Sequence, residues 1–235
     1  MKILMPLALT SGLALPSHAA NLLLEDFEDS TVTYTVSTTE FSDGSEDYFG
    51  RVAPDGIDIT GAVAYTNPQG AGYFGAQDID GEVASSQQTL TFTGIDVTNY
   101  ENLIFSAFFA EDDDGSNQDW DDSDFVLVEA QLDGAGYVSI FQIANDGTQF
   151  NTAPLVDTDL DGIGDGSEIT DNFTNYSGAI SGTGSTLDLR ITVDLNSGDE
   201  DIAIDNVSID GDLIPEPSTS LFGGLALLVL LRRRR

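Results

Sequence analysis

Alternation of apolar and polar positions dominates the chain from about residue 21 to residue 213. In "LDLRITVDL", Leu187, Leu189, Ile191, Val193 and Leu195 share one parity, and Asp188, Arg190, Thr192 and Asp194 share the other. This is the period of two of a half-buried strand. "NLIFSAFFA" and "FVLVEAQL" are apolar at both parities and read as central strands. "LDGAGY" places an Asp-Gly turn between "FVLVEAQL" and "YVSIFQI", which predicts a hairpin over Phe125 to Ile143. The shorter runs "NLLLEDF", "TVTYTVS", "AGYFGA" and "TLTFTG" are bounded by Gly, Asn, Asp or Pro and read as further strands. In "DIAIDNVSI" the apolar parity slips between Ile202/Ile204 and Val207/Ile209, so a β-bulge is expected near Asp205 and Asn206. No amphipathic helix of ordinary length is visible. The pattern predicts an all-β fold, a single antiparallel β-sandwich of about ten strands, jelly-roll-like in form.

The two ends do not share this pattern. Residues 1–20 combine Lys2, the apolar run "ILMPLALTSGLAL" and a small-residue site at "SHA" and Ala20, the layout of an export signal cleaved after Ala19 or Ala20. At the other end, Ser218 to Leu231 is a run of 14 residues without charge, closed by Arg232, Arg233, Arg234 and Arg235. As a helix it would reach about 21 Å at 1.5 Å per residue, against a hydrocarbon core of about 30 Å. That is marginal for a permanent span and sufficient for a stop signal, with the arginines snorkelling to the headgroups and holding their end cytoplasmic. Both signals place the intervening chain on the far side of the membrane. The division expected is a signal peptide at 1–20, a β-sandwich domain at 21–213 and a terminal segment at 214–235.

Charge sharpens this division. All 41 acidic residues lie within 21–216, where Arg51 and Arg190 are the only bases. Such a surface repels nucleic acid and anionic membranes and attracts cations. The chain has no Cys, its one His is His18 and its one Lys is Lys2, both within the signal peptide. The body therefore lacks the residues for thiol or Ser-His-Asp nucleophilic catalysis, histidine-bound zinc and lysine Schiff bases. Of the common acid/base systems only a carboxylate pair is left.

The terminal segment resembles the PEP-CTERM sorting signal of Gram-negative bacteria: Pro215, Glu216 and Pro217, then the short apolar helix, then the arginine cluster. The resemblance implies cleavage near Pro-Glu-Pro by the membrane protease exosortase, transient anchoring in the inner membrane, delivery to the cell surface or medium, and association with exopolysaccharide. "LLEDFED", "WDDSDFVLVEAQLDGAGY" and "DEDIAIDNVSI" are similar to jelly-roll modules of bacterial extracellular proteins, some of which bind carbohydrate.

The strongest chemical motif is "DTDLDGIGDGSE", residues 157–168. Asp157, Asp159 and Asp161 alternate, so one tight loop can turn three carboxylates inward. Gly162 permits the bend, Ile163 can offer its carbonyl, and Glu168 stands at the twelfth position. Oxygen ligands alone select a hard cation such as Ca²⁺. The spacing resembles the calcium loops of thrombospondin type 3 repeats and dockerins, which implies that Asp165 and Glu168 join the first three as ligands. Gly164, where the EF-hand pattern has an apolar residue, departs from the motif. The alternative is a solvated acidic turn. In "EDDDGSNQDWDDSD" (111–124) the only tryptophan, Trp120, has two readings: a sugar-stacking ring flanked by carboxylates, or a plug at one end of the sandwich. Asp205 likewise reads either as a calcium ligand with Glu25 or Asp26, or as part of a bulge satisfied by its own backbone. The function expected is a non-catalytic, exported, calcium-stabilised protein associated with extracellular polysaccharide, with a carboxylate-dependent glycoside-active enzyme as the alternative.

Overall fold

A computed structural model describes residues 19–59, 65–112, 120–148 and 150–215. The expected export signal up to residue 18 and the chain from Glu216 onward, including the arginine cluster, lie outside the described residues. Among the described residues no helix is long and apolar enough to cross a membrane.

The strands in chain order are β1 (Ala19–Glu25), β2 (Thr35–Val36), β3 (Phe41–Ser42), β4 (Tyr48–Val52), β5 (Tyr73–Gln77), β6 (Gln87–Asp96) and β7 (Tyr100–Ala110). They continue with β8 (Phe125–Leu132), β9 (Val138–Ala144), β10 (Leu155–Val156), β11 (Thr174–Ile180), β12 (Thr186–Asp194) and β13 (Asp201–Leu213). A single helical turn, α1 (Ile79–Glu82), follows β5. One sheet has the order β11-β7-β13-β5-β4-β3 with β1 also on β13, and the other has the order β10-β9-β8-β12-β6-β2. All named pairings are antiparallel. From β5 to β8, and again from β10 to β13, every connection passes from one sheet to the other, the winding of a jelly roll.

Local chemistry accounts for the clearest elements. The alternation in β12 buries Leu187, Leu189, Ile191 and Val193 completely, because the strand lies between β8 and β6 with its inner face on the opposite sheet. At the β8–β9 hairpin both Asp133 (φ 50°) and Gly134 (φ 72°) adopt left-handed backbone, and the Ala135 amide bonds back to the Leu132 carbonyl at 3.0 Å. Asp-Gly is suited to this turn because both central residues need positive φ. The bulge falls where the parity slips: pairing between β13 and β7 shifts register between Asp205 and Ser208, and Asn206 has φ 47°. This bulge divides one edge of β13 between two partners, β5 before it and β1 after it.

Several expectations are corrected. β7 is central but buried on one face only: Leu103, Phe105, Ala107 and Phe109 point inward, whereas Ile104 on the other face is 45% exposed. "TVTYTVS" forms only the two-residue β2, because Glu25 turns the chain by accepting the Thr33 amide at 2.6 Å and the Thr33 hydroxyl at 2.8 Å. β4 and β11 lie in stretches without a clean period. β4 contains the buried Arg51, paired with Asp55 at 2.9 Å. β11 contains Gly178, where a Cβ would stand 2.2 Å from the Ile140 carbonyl.

Candidate cation loop and lateral cleft

The loop after β10 is organised around one carboxylate. Asp157 is buried. Its Oδ1 accepts the amides of Asp159 (3.2 Å) and Leu160 (2.7 Å), and its Oδ2 accepts that of Gly162 (2.7 Å). The chain coils tightly about Asp157, with Leu160 at φ 60° and Gly162 at φ 94°. The coil brings carboxylate oxygens of Asp157, Asp159 and Asp161 within 4.8 Å of one another. Asp159 consequently resists ionisation, chiefly because of the negative Asp161 beside it.

Of the remaining expected ligands, Asp165 is directed elsewhere: its Oδ1 accepts the Thr158 amide (2.9 Å) and hydroxyl (2.7 Å), which hold its carboxyl below the ordinary range. Glu168 bridges Leu155 through its backbone, and its carbonyl accepts the Tyr176 hydroxyl at 3.3 Å. Neither carboxylate joins the three-aspartate group. The Ile163 amide bonds to Asp161 Oδ1 at 3.0 Å, and its side chain is 47% exposed. Gly164 departs from the EF-hand pattern for a visible reason. Its amide bonds to the Asn145 carbonyl at 2.8 Å, and a Cβ there would stand 2.4 Å from the Ala144 carbonyl. The loop is thus fastened to the end of β9.

A second group, Asp121, Asp124 and Glu200, also brings its oxygens within 4.8 Å. Asp124 and Glu200 are each only 2% exposed. Burial, with Glu200 and Asp121 close by, pushes the Asp124 carboxyl up to about 9, while Glu200 is raised in the same direction, mainly by burial. Asn196 supports the pair, its amide on Glu200 Oε2 at 2.7 Å and its side chain on Asp124 Oδ1 at 3.3 Å. Sequence reasoning picked out the acidic run but not Glu200, because nothing local links it to Asp124. Asp201, next in the chain, is also buried. It accepts hydrogen bonds from the Tyr65 hydroxyl and, at 3.1 Å, from the Asp112 amide, and burial lifts it to about 7.

Trp120 is fully buried within the core, its indole N–H donating to the Asp201 carbonyl at 3.3 Å. The ring plugs the sandwich and presents no face to a sugar, which corrects the ligand-contact reading. Asp205 accepts the Gln69 amide (2.9 Å) and the Asn206 amide (2.7 Å). Glu25 is turned to Phe27 and Thr33. Asp205 thus belongs to the bulge, and burial, with Glu28 and Asp26 nearby, lifts its carboxyl to about 6.

Two clefts flank β11. One, of about 470 Å³, runs beside the cation loop and is lined by Phe141, Asp157, Thr158, Leu160, Tyr176 and Ser177, among others. The other, of about 540 Å³, lies at the opposite end of the strand and is lined by Glu101, Asn102, Ile104 and Thr183 among others.

No protein-family model matches the chain, and no curated protein matches it. Among solved structures, the CBM22-1 xylan-binding domain of Xyn10C from Paenibacillus barcinonensis aligns over 86% of this chain and 99% of its own, with 14% identity and a TM-score of 0.42. The K3 cleaved adhesin domain of Lys-gingipain from Porphyromonas gingivalis aligns over 82% and 99%, with 12% identity and a TM-score of 0.42. A cyclase from Fischerella sp. aligns over 84% and 98%, with 12% identity and a TM-score of 0.46.

Proposed function

We propose that this chain is a non-catalytic, exported protein whose β-sandwich is stabilised by Ca²⁺ in the 157–168 loop and associates with extracellular polysaccharide. In this reading exosortase recognises Pro215, Glu216 and Pro217, and the tail anchors the chain only transiently before delivery to the cell surface or medium. The observation that carries the calcium assignment is the convergence of Asp157, Asp159 and Asp161 on one point with no cationic side chain among the groups shifting Asp159. A hard cation placed there would be held by these three aspartates, with water or backbone oxygen completing the shell.

Calcium at about 100 times its Kd would stabilise the fold by about 2.7 kcal/mol, a melting shift on the order of 5 to 10 °C for a domain of this size. Thermal melts in EGTA, in Ca²⁺ and in NaCl of matched ionic strength test this. Equal shifts in NaCl and Ca²⁺ would reduce the loop to a solvated acidic turn. For the sorting assignment, intact-mass analysis from the native host should show a chain lacking Arg232 to Arg235.

One observation favours the second reading, a carboxylate-dependent glycoside-active enzyme. Asp124, whose carboxyl burial pushes up to about 9 with Glu200 close by, has the raised pKa of a general acid. A glycosidase also needs both carboxyl groups to face its substrate, and neither lines either cleft beside β11. Release of new reducing ends from a polysaccharide would overturn the non-catalytic reading.

A further inference from the structure

We propose that the cleft beside the cation loop is the binding site for a neutral polysaccharide, one or two sugar rings of which enter between β11 and the 157–168 loop. This inference rests on the polysaccharide association proposed above and adds the place and the chemical class.

The cleft has a structural origin. At Gly178, β11 lies so close to the Ile140 carbonyl that no side chain fits between them. Two residues earlier on the same strand the place of that hydrogen is taken by Tyr176, whose ring meets Phe141 at 5.9 Å and Phe109 at 6.3 Å between centroids. Phe109 and Phe141 stack on each other at 5.4 Å, so the aromatic base is continuous with the core. The hydrogen bond from the Tyr176 hydroxyl to the Glu168 carbonyl fixes the ring against the loop that forms the other wall.

The lining selects a ligand class. Tyr176, Leu160 and Ile140 give apolar surface, and Thr158, Ser167, Asn175 and Ser177 give hydroxyl and amide groups on the same cleft. The single charged lining residue is Asp157, which is buried and whose charge faces three backbone amides. A purely apolar ligand would strip water from the hydroxyl groups without replacing its hydrogen bonds. An anionic one would meet the negative field of a protein of net charge −34. A sugar ring has an apolar face and a rim of uncharged hydroxyls, and matches both surfaces. The volume, about 470 Å³, falls within the range of about 300 to 1,000 Å³ usual for small-ligand sites. The cleft at the other end of β11 has Glu101 on its wall and no aromatic ring, and serves as the control.

The test is affinity electrophoresis of the full chain through soluble mixed-linkage β-glucan, galactomannan and arabinoxylan. It compares the wild type with Ser177→Arg, which fills the proposed cleft from an exposed position, and Thr183→Arg, which makes the same charge change in the other one. The expected result is retardation by at least one polymer, weakened at least 10-fold in Ser177→Arg and unchanged in Thr183→Arg, with all three proteins melting alike. Retardation that Ser177→Arg retains, or that both variants lose equally, overturns the cleft and leaves the polysaccharide reading standing. No retardation of the wild type by any of the three polymers overturns both.

Discussion

The molecule holds two triads of carboxylates, of similar compactness, in different surroundings. In the 157–161 loop only Asp157 is buried; Asp159 and Asp161 stand in water, and backbone amides meet the charge of Asp157. At Asp121, Asp124 and Glu200 two of the three acids are buried together, and the cheapest way to remove the repulsion is to keep a proton. Carboxylates of similar compactness thus stand largely in solvent in one region and are buried with a raised pKa in the other. What separates them is solvent, not sequence composition.

The largest expected effect breaks the comparison on the buried side. In the fold Asp124 titrates at about 9, against an ordinary carboxylate value of about 4 when unfolded. Between these values the native state binds more protons than the unfolded one, so stability is greatest at the acidic end and falls as pH rises through the window. Asp201 (about 7) and Asp205 (about 6) act with the same sign over narrower windows, so the part well above pH 7 reports chiefly on Asp124. Melts in EGTA from pH 5 to pH 9 should lose more than about 10 °C. Asp124→Asn should flatten the part above pH 7; a variant with the wild-type slope there would show that Asp124 is not the proton holder.

The next effect separates the triads by their response to calcium. Asp159→Ala should remove most of the calcium-dependent rise of about 5 to 10 °C, while Asp124→Asn should keep it. If Asp124→Asn removes the rise instead, the cation belongs to the buried group.

The smallest effect sharpens the ligand set. Asp165 is committed to Thr158, so Asp165→Asn should change the calcium midpoint by no more than about 3-fold, on the order of 0.6 kcal/mol. A loss as large as that of Asp159→Ala would restore the five-carboxylate set implied by the thrombospondin-like spacing.

Much of this architecture is legible along the chain. The parity of Leu187 to Val193, the Asp133-Gly134 turn and the slip at Asp205-Asn206 are local signals, each set by two to five neighbouring side chains and reproduced in the fold. The three aspartates of the loop are legible for the same reason. β4 and β11 are not, because their burial depends on partners outside the strand: the buried Arg51 gives its guanidinium to Asp55 and its backbone amide to Glu40, and Gly178 matters only where Ile140 passes. The pairing of Asp124 with Glu200 depends on the strands bringing distant loops to one end of the sandwich. Trp120 shows the converse limit, since acidic neighbours in sequence did not keep it at the surface.

The pairing of β1 with β13, Ala19 opposite Asp212 and Glu25 opposite Val207, has a mechanical consequence. A pull applied between Ala19 and Leu213 acts at one end of an antiparallel pair and would peel it open a bond at a time, each hydrogen bond contributing about 1 kcal/mol. A pull between Leu213 and the cleft would travel from β13 through β7 to β11, two long pairings whose bonds share part of the load. A tether at the β13 end with a polymer held beside Tyr176 would therefore load the domain along its stronger direction.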